Sequence, residues 1–477
     1  MSKLPTRDIS PDPVQIHAPQ EVSLYAKRKK IHARSISGFF QNIRIFTIWA
    51  SLAVFVLLPW ITWDGRQALL FDLPSRKFYI FWWTFLPQDF FFLSWLLIMS
   101  AFGLFAVTVF AGRVWCGYTC PQTVWTTVFM WIEEFTEGNR NARIRLDKSP
   151  MSPVKFLRRG AKHIGWVLVA FLTGFTFIGY FTPVRELYAE FLHFDLGFWE
   201  VFWIGFFTTA TYMNAGWMRE QVCMYMCPYG RFQSVMFDRD TLIISYDTER
   251  GEPRGGRKRG ADFEAQNLGS CIDCELCVQV CPTGIDIRDG LQFECIQCAA
   301  CVDACDSIMD QMGYPRGLVR YTTENALEKG TGFHFLRPRL IGYAIVISIM
   351  AGLFLYVLAM RVPLSVEALR DRNQLYRENN EGMIENAYLL KIMNKSQKAQ
   401  TYTLSVQSDG NIVTLEAGEH AQVKLAAGEL VSLPIDLSAD PAKLSKTKYE
   451  VHFTVRSNDD PKTYASFSTS FLAPALH

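Results

Sequence analysis

The chain has 477 residues, 49% of them hydrophobic, including 37 Phe and 13 Trp. A formal net charge of +2 argues against nucleic acid as a partner, and the gathering of apolar residues into a few long blocks argues against one large soluble core. Twelve cysteines all fall between Cys116 and Cys305, in spacings that suit metal ligation in a reducing compartment rather than disulfides.

Residues 1–43 form a basic lead. Lys27, Arg28, Lys29, Lys30 and Arg34 stand just before the first apolar block, as a cytoplasmic anchor on anionic membrane lipid would. That block starts near Phe39, after a polar stretch, so no secretory signal peptide is expected. About five transmembrane helices are predicted, over 44–63, 90–112, 163–181, 198–217 and 340–360. Lys and Arg concentrate in the lead, after the second span and after the fourth, which places the N-terminus inside and the C-terminus outside. The aromatic stretch 78–85 is read as an interfacial or re-entrant piece, because a crossing there would change the parity.

The second span ends in Cys116-Gly-Tyr-Thr-Cys120-Pro121, and the fourth in Cys223-Met-Tyr-Met-Cys227-Pro228. Both read as C-x3-C-P, each after a two-span hairpin and before an apolar interfacial helix, which suggests an internal duplication with a site at the interface of the halves. In a helix the two thiols of each motif would share a face. Pro121 and Pro228 suit first helical positions, so Cys120 and Cys227 would cap helix N-termini, where the dipole favours thiolate. Met224 and Met226 add thioethers, and soft sulfur ligands prefer Cu(I). The readings left open are a transient copper site, a redox dithiol pair, a further iron–sulfur site, and small apolar packing residues.

Residues 218–338 hold the strongest pattern. Cys271-x2-Cys274-x2-Cys277-x3-Cys281-Pro282 is followed by Cys295-x2-Cys298-x2-Cys301-x3-Cys305, the bacterial two-cluster ferredoxin spacing, over roughly 260–315. In that pattern the fourth cysteine of each run reaches the other cluster. Cys271, Cys274, Cys277 and Cys305 are therefore assigned to one [4Fe–4S] cluster, and Cys295, Cys298, Cys301 and Cys281 to a second. The bland alternative is a pair of zinc sites. Asp306 stands where the spacing would allow a proline, and the segment from Cys281 to Cys295 is short for a ferredoxin. Histidines number eight, with no stacked pair inside the spans, so a membrane di-haem cytochrome is a poor reading.

Beyond the last span, 361–380 reads as a polar linker or short helix. Alternating runs at 388–393, 402–406, 422–425, 430–437, 449–455 and 464–471 suggest a C-terminal immunoglobulin-like β-sandwich without a disulfide. The fold class is thus a multi-domain membrane protein. Its parts are a basic segment (1–43), a four-helix region (44–217), a cytoplasmic segment with the ferredoxin-like insert (218–338), a fifth helix (339–360), and a periplasmic linker with sandwich (361–477).

The run from Cys271 to Cys277, Cys281-Pro-Thr-Gly-Ile-Asp-Ile287, and Cys295 to Asp306, together with both C-x3-C-P motifs, the spans and the sandwich, resembles the CcoG/FixG/RdxA family of accessory proteins for cbb3-type cytochrome c oxidase assembly. The resemblance implies a bacterial inner-membrane protein that reduces Cu(II) to Cu(I) for the oxidase's copper site. It implies a catalytic role for Cys116, Cys120, Cys223 and Cys227, and copper-delivery and oxidase-assembly proteins as partners. A cytoplasmic electron donor is required but not named, and a homodimer stays open. Two other functions remain in view: a quinol-linked membrane ferredoxin subunit of the NapH type, and a non-enzymatic assembly scaffold.

Overall fold

The computed structural model describes residues 30–474 apart from 260–266, 331–333, 335–336, 372–373, 397, 409–412 and 416–421. Lys27, Arg28 and Lys29 of the basic lead lie outside the described residues. Among those described, four helices are long and apolar enough to cross a membrane: Phe39–Trp60, Pro87–Ala111, Pro153–Ile178 and Pro338–Ala359. The fourth expected span is a 14-residue α-helix, Phe198–Thr211, continued by seven residues of π-helix, Tyr212–Met218.

The helix Pro153–Ile178 begins ten residues before the expected start at His163. Its first turns hold Lys155 and Lys162, which a hydropathy window counts as solvent-facing, yet both are buried. Lys155 donates to the carbonyls of Asp147 and Ser149, and Lys162 pairs with Glu137 at 2.8 Å. Pro153 occupies the first turn, and the Ser152 hydroxyl accepts from the Lys155 amide, so the start is well capped.

The aromatic stretch does not cross. Lys77–Ile80 and Trp83–Phe85 are strands of a three-stranded antiparallel sheet with Leu69–Asp72, too short to span and paired edge to edge. This small sheet meets the C-terminal domain: Lys77 donates to the Gly428 carbonyl at 2.7 Å, and Asp89 pairs with Arg361 and with Lys395 at 3.5 Å. The residues from Arg34 to Gln41 instead touch the cysteine-rich module, through Arg34 N–H to Gln279 O and the amides of Phe40 and Gln41 to the Asp303 carboxylate. The two ends of the helical region therefore carry different domains.

The C-terminal domain is a sandwich of two antiparallel sheets. One contains strands Val413–Leu415, Leu430–Ala439, Ile384–Asn394 and Leu364–Arg370, with Arg377–Glu378 on its rim; the other runs Gln422–Leu425, Gln400–Ser408, Lys448–Ser457 and Tyr464–Leu472. Part of the expected linker is thus the strand Leu364–Arg370, whose Leu364, Val366 and Ala368 alternate into the core. Without a disulfide, the sheets are tied by Asn386, whose amide donates to Leu472 O at 2.8 Å and accepts from Leu472 N–H at 3.0 Å, and by Tyr388 O–H to Ser470 O.

Candidate functional site

The module 243–322 is held by a two-stranded sheet, Ile243–Tyr246 with Val319–Thr322, and the helix Ala300–Met312. Its two cysteine runs fold alike. Asp273 and Glu275 in the first, and Gln297 and Ala299 in the second, all have φ between 50° and 60° at equivalent positions between the cysteines. Left-handed residues at these points make the tight turns that bring three thiols to one side. Asp306 follows Cys305 inside the helix Ala300–Met312, where a proline would break the ladder, and its carboxylate accepts from Gly317 N–H at 2.9 Å.

The fourth cysteines cross over. One cavity is lined by Cys271, Cys274, Cys277 and Cys305, with Arg288 on its wall. A second is lined by Cys281, Cys295, Cys298 and Cys301, and by Cys277, which lines both. Burial pushes the Cys277 thiol up to about 11 and those of Cys295 and Cys305 up to about 12. A cationic core between the sulfurs would favour thiolate where the protein alone does not. The cysteines that line the two cavities supply the donor chemistry of iron–sulfur clusters.

The two C-x3-C-P motifs, distant in sequence, meet beside this module. Cys116 sits in the short helix Val114–Tyr118 and Cys223 in the π-turn Val222–Met226. In each, the second cysteine has left the helix: Cys120 N–H bonds to Trp115 O and Cys227 N–H to Val222 O, both five residues back. The expected shared helical face is replaced by a turn, after which Cys120 caps the helix Pro121–Glu137 and Cys227 caps Pro228–Met236.

The halves also clasp each other. Gln122, after Pro121, donates to the carbonyls of Arg219 and Asn214, while Tyr229, after Pro228, bonds through its hydroxyl to Thr108. As a result the Cys116 thiol feels the charge of Cys120, Cys223 and Cys227, and the Cys223 thiol that of Cys120 and Cys227.

Burial raises the thiols of Cys116 to about 12 and Cys223 to about 11. The expected thiolate-favouring cap does not prevail at Cys120: the amides of Gln122 and Thr123 act in the expected direction, but burial raises the thiol overall. Met226 is 58% exposed, so it is not enclosed with the cysteines, whereas Met224 is half-buried.

Cys116 and Gly117 lie against the wall of the second cavity. A Cβ on Gly117 would stand 2.8 Å from Ile296 O and 3.0 Å from the Cys298 backbone, and Cys116 packs with Ile296 and Cys298. Two polar neighbours were not singled out from sequence. Gln233 is fully buried, its Oε1 3.9 Å from Cys116 Sγ. Arg113 is buried between the quartet and the Phe293–Gln297 loop. The one signal for Arg113 was a charge at a span end, three residues before Cys116.

Residues 91–134, with Cys116 and Cys120, match a 4Fe-4S binding domain, and residues 218–324, with the other ten cysteines, match a 4Fe-4S dicluster domain. Residues 354–474 match the immunoglobulin-like fold at the C-terminus of FixG. The nitrogen fixation protein FixG of Rhizobium meliloti is 40% identical over 420 residues, 80% of this chain and 80% of that protein. The chain belongs to the FixG family. Another relative, protein RdxB of Cereibacter sphaeroides, is 38% identical over 87% of this chain and 89% of its own. The crystal structure of a FixG-related protein from Vibrio parahaemolyticus is matched over 23% of this chain and 95% of that one, at 30% identity and a TM-score of 0.21. This FixG-family chain is a membrane-spanning iron–sulfur electron-transfer protein.

Proposed function

We propose that the protein reduces Cu(II) to Cu(I) at Cys116, Cys120, Cys223 and Cys227 and so serves the copper site of a cbb3-type oxidase. The observation that carries this is the meeting of two remote motifs, with Cys116 feeling the charge of Cys120, Cys223 and Cys227 while Gly117 beside it packs on the Ile296 and Cys298 backbone. In this reading Cys271, Cys274, Cys277 and Cys305 hold one [4Fe–4S] cluster, and Cys281, Cys295, Cys298 and Cys301 hold the other. Each cluster, when bound, supplies a one-electron carrier. Cys274 is the exposed member of the first quartet and marks the side a cytoplasmic donor approaches. One electron from that donor converts one Cu(II) to Cu(I), and the all-sulfur site favours the product ion.

The basic loops support a cytoplasmic cysteine-rich module and a periplasmic sandwich in the inner membrane. The sandwich is then the surface offered to copper-delivery and oxidase-assembly proteins. The test is the variant with all four cysteines changed to Ser. It keeps its iron and sulfide but loses Cu(II) reduction; undiminished reduction overturns the site.

The match of residues 91–134 to a 4Fe-4S binding domain supports a second reading, in which the same four cysteines hold an iron–sulfur group. Iron content decides: about eight atoms per chain for two [4Fe–4S] clusters, about twelve for three.

A further inference from the structure

Arg113 is 6% exposed and stands where the cysteine-rich module meets both halves of the membrane region. Its backbone N–H donates to Gln297 Oε1 at 2.7 Å. Its guanidinium donates to the carbonyls of Phe293 and of Cys295 (3.3 Å) from one nitrogen, and to that of Gly230 at 2.6 Å from another. The charge is felt by the thiols of Cys295 on one side and of Cys116 and Cys223 on the other. Arg44 also reaches toward the second quartet, at Cys298. Arg113 differs in touching the backbone of both Cys295 and the helix that follows Cys227.

We propose that Arg113 is a positioning residue that sets the reduction potential of the group held by Cys281, Cys295, Cys298 and Cys301 and fixes its approach to the membrane-end cysteines. Adding an electron makes that group more negative. A permanent positive charge buried within reach of Cys295 stabilises the added electron and raises the potential, because little solvent screens it. The spread of donors performs the second task. One planar guanidinium bridges the Cys295 loop and the Gly230 turn, and an ammonium has no such fork. The residue before it fits the same role: a Cβ on Gly112 would come within 2.6 Å of the Gln297 side chain, so the span end is pressed onto the cluster loop.

The potential effect does not depend on the copper reading; the rate effect does. The test uses full-length protein in detergent, with Arg113→Met and Arg113→Lys, iron and sulfide analysis, and EPR-monitored redox titration. In Arg113→Met one of the two midpoint potentials falls, by tenfold or more in the reduction equilibrium, about 59 mV for one electron, while the other stays. In Arg113→Lys the potential is largely kept, but reoxidation by Cu(II) slows about tenfold. Unmoved potentials in an iron-replete Arg113→Met protein overturn the proposal. If that variant does not hold iron, Arg113→Lys decides, and a wild-type reoxidation rate overturns it. A wild-type protein that fails to reduce Cu(II) refutes the proposed function while leaving the potential shift standing.

Discussion

Gly112 and Arg219 share one backbone conformation, φ 55° and ψ −120° in the first, φ 47° and ψ −115° in the second. Each ends a helix four residues before the first cysteine of its C-x3-C-P motif. The duplication suggested by two short sequence matches therefore extends to torsion angles that glycine adopts freely and arginine does not. Arg219 is held there by Glu133 at 2.7 Å, by its own Nε–H to Gly216 O at 3.0 Å, and by the Trp166 ring at 5.5 Å.

Replacing Arg219 separates the two contributions. Arg219→Ala keeps the strained backbone and strips Glu133 of its closest partner, leaving Arg143 at 3.2 Å and Lys162 at 3.8 Å. With those two cations still in place, the expected loss is about 2 kcal/mol, that of one hydrogen bond to a buried charged group. Arg219→Gly relieves the backbone and recovers about 1 kcal/mol of that loss. Thermal unfolding in detergent measures both; equal stability of the two variants contradicts the strain.

Gly117→Ala drives a methyl group into the Ile296 carbonyl and the Cys298 backbone. These are main-chain atoms, so they yield only by moving the loop, at a cost of about 1–3 kcal/mol. Iron and sulfide per chain should fall by up to half while the sandwich keeps its melting transition. A full complement with unchanged EPR spectra contradicts the close approach.

Arg288 ties the loop between Cys271 and Cys274 to Asp286, bonding Asp273 at 2.5 Å and Asp286 at 2.6 Å. Arg288→Ala should make the iron held by the first quartet labile to chelators and spare the second. Hydrogen bonds from Arg288 hold the Asp286 carboxyl below its usual range. A depressed carboxylate contributes stability above its unfolded pKa and loses it as pH falls through the folded value. Chelator release of iron should therefore quicken on acidification in that low range, and Arg288→Ala should flatten the dependence.

Asp89 joins the membrane end to the sandwich through Arg361 and Lys395. Asp89→Asn leaves two half-buried cations with a neutral partner. Hydrogen exchange should rise around 361–364 and 395 while the sandwich core around Phe453 stays protected; uniform protection contradicts the clamp.

The iron–sulfur character of the module was legible because ferredoxin ligation is set by local spacing, and the eight cysteines line two neighbouring cavities, with Cys277 on both. Four of the five expected spans fall on helices long and apolar enough to cross. The expected span over 198–217 is instead a shorter α-helix continued by a π-helix, and the start of the third was missed because Lys155 and Lys162 are buried. Leu364–Arg370 was misread because its polar outward residues hid the alternation of Leu364, Val366 and Ala368. The meeting of Cys116 and Cys120 with Cys223 and Cys227 depends on contacts such as Gln122 to Arg219, which no local pattern encodes. The thiolate expectation at Cys120 failed because sequence shows the helix start but not the burial around it.

The most direct test is rapid-freeze EPR of the dithionite-reduced, desalted protein mixed anaerobically with Cu(II). The account predicts that the reduced iron–sulfur signal and the Cu(II) signal disappear together, one copper per electron, and that both persist when Cys116, Cys120, Cys223 and Cys227 are Ser. A Cu(II) signal that survives beside reduced wild-type protein would contradict it.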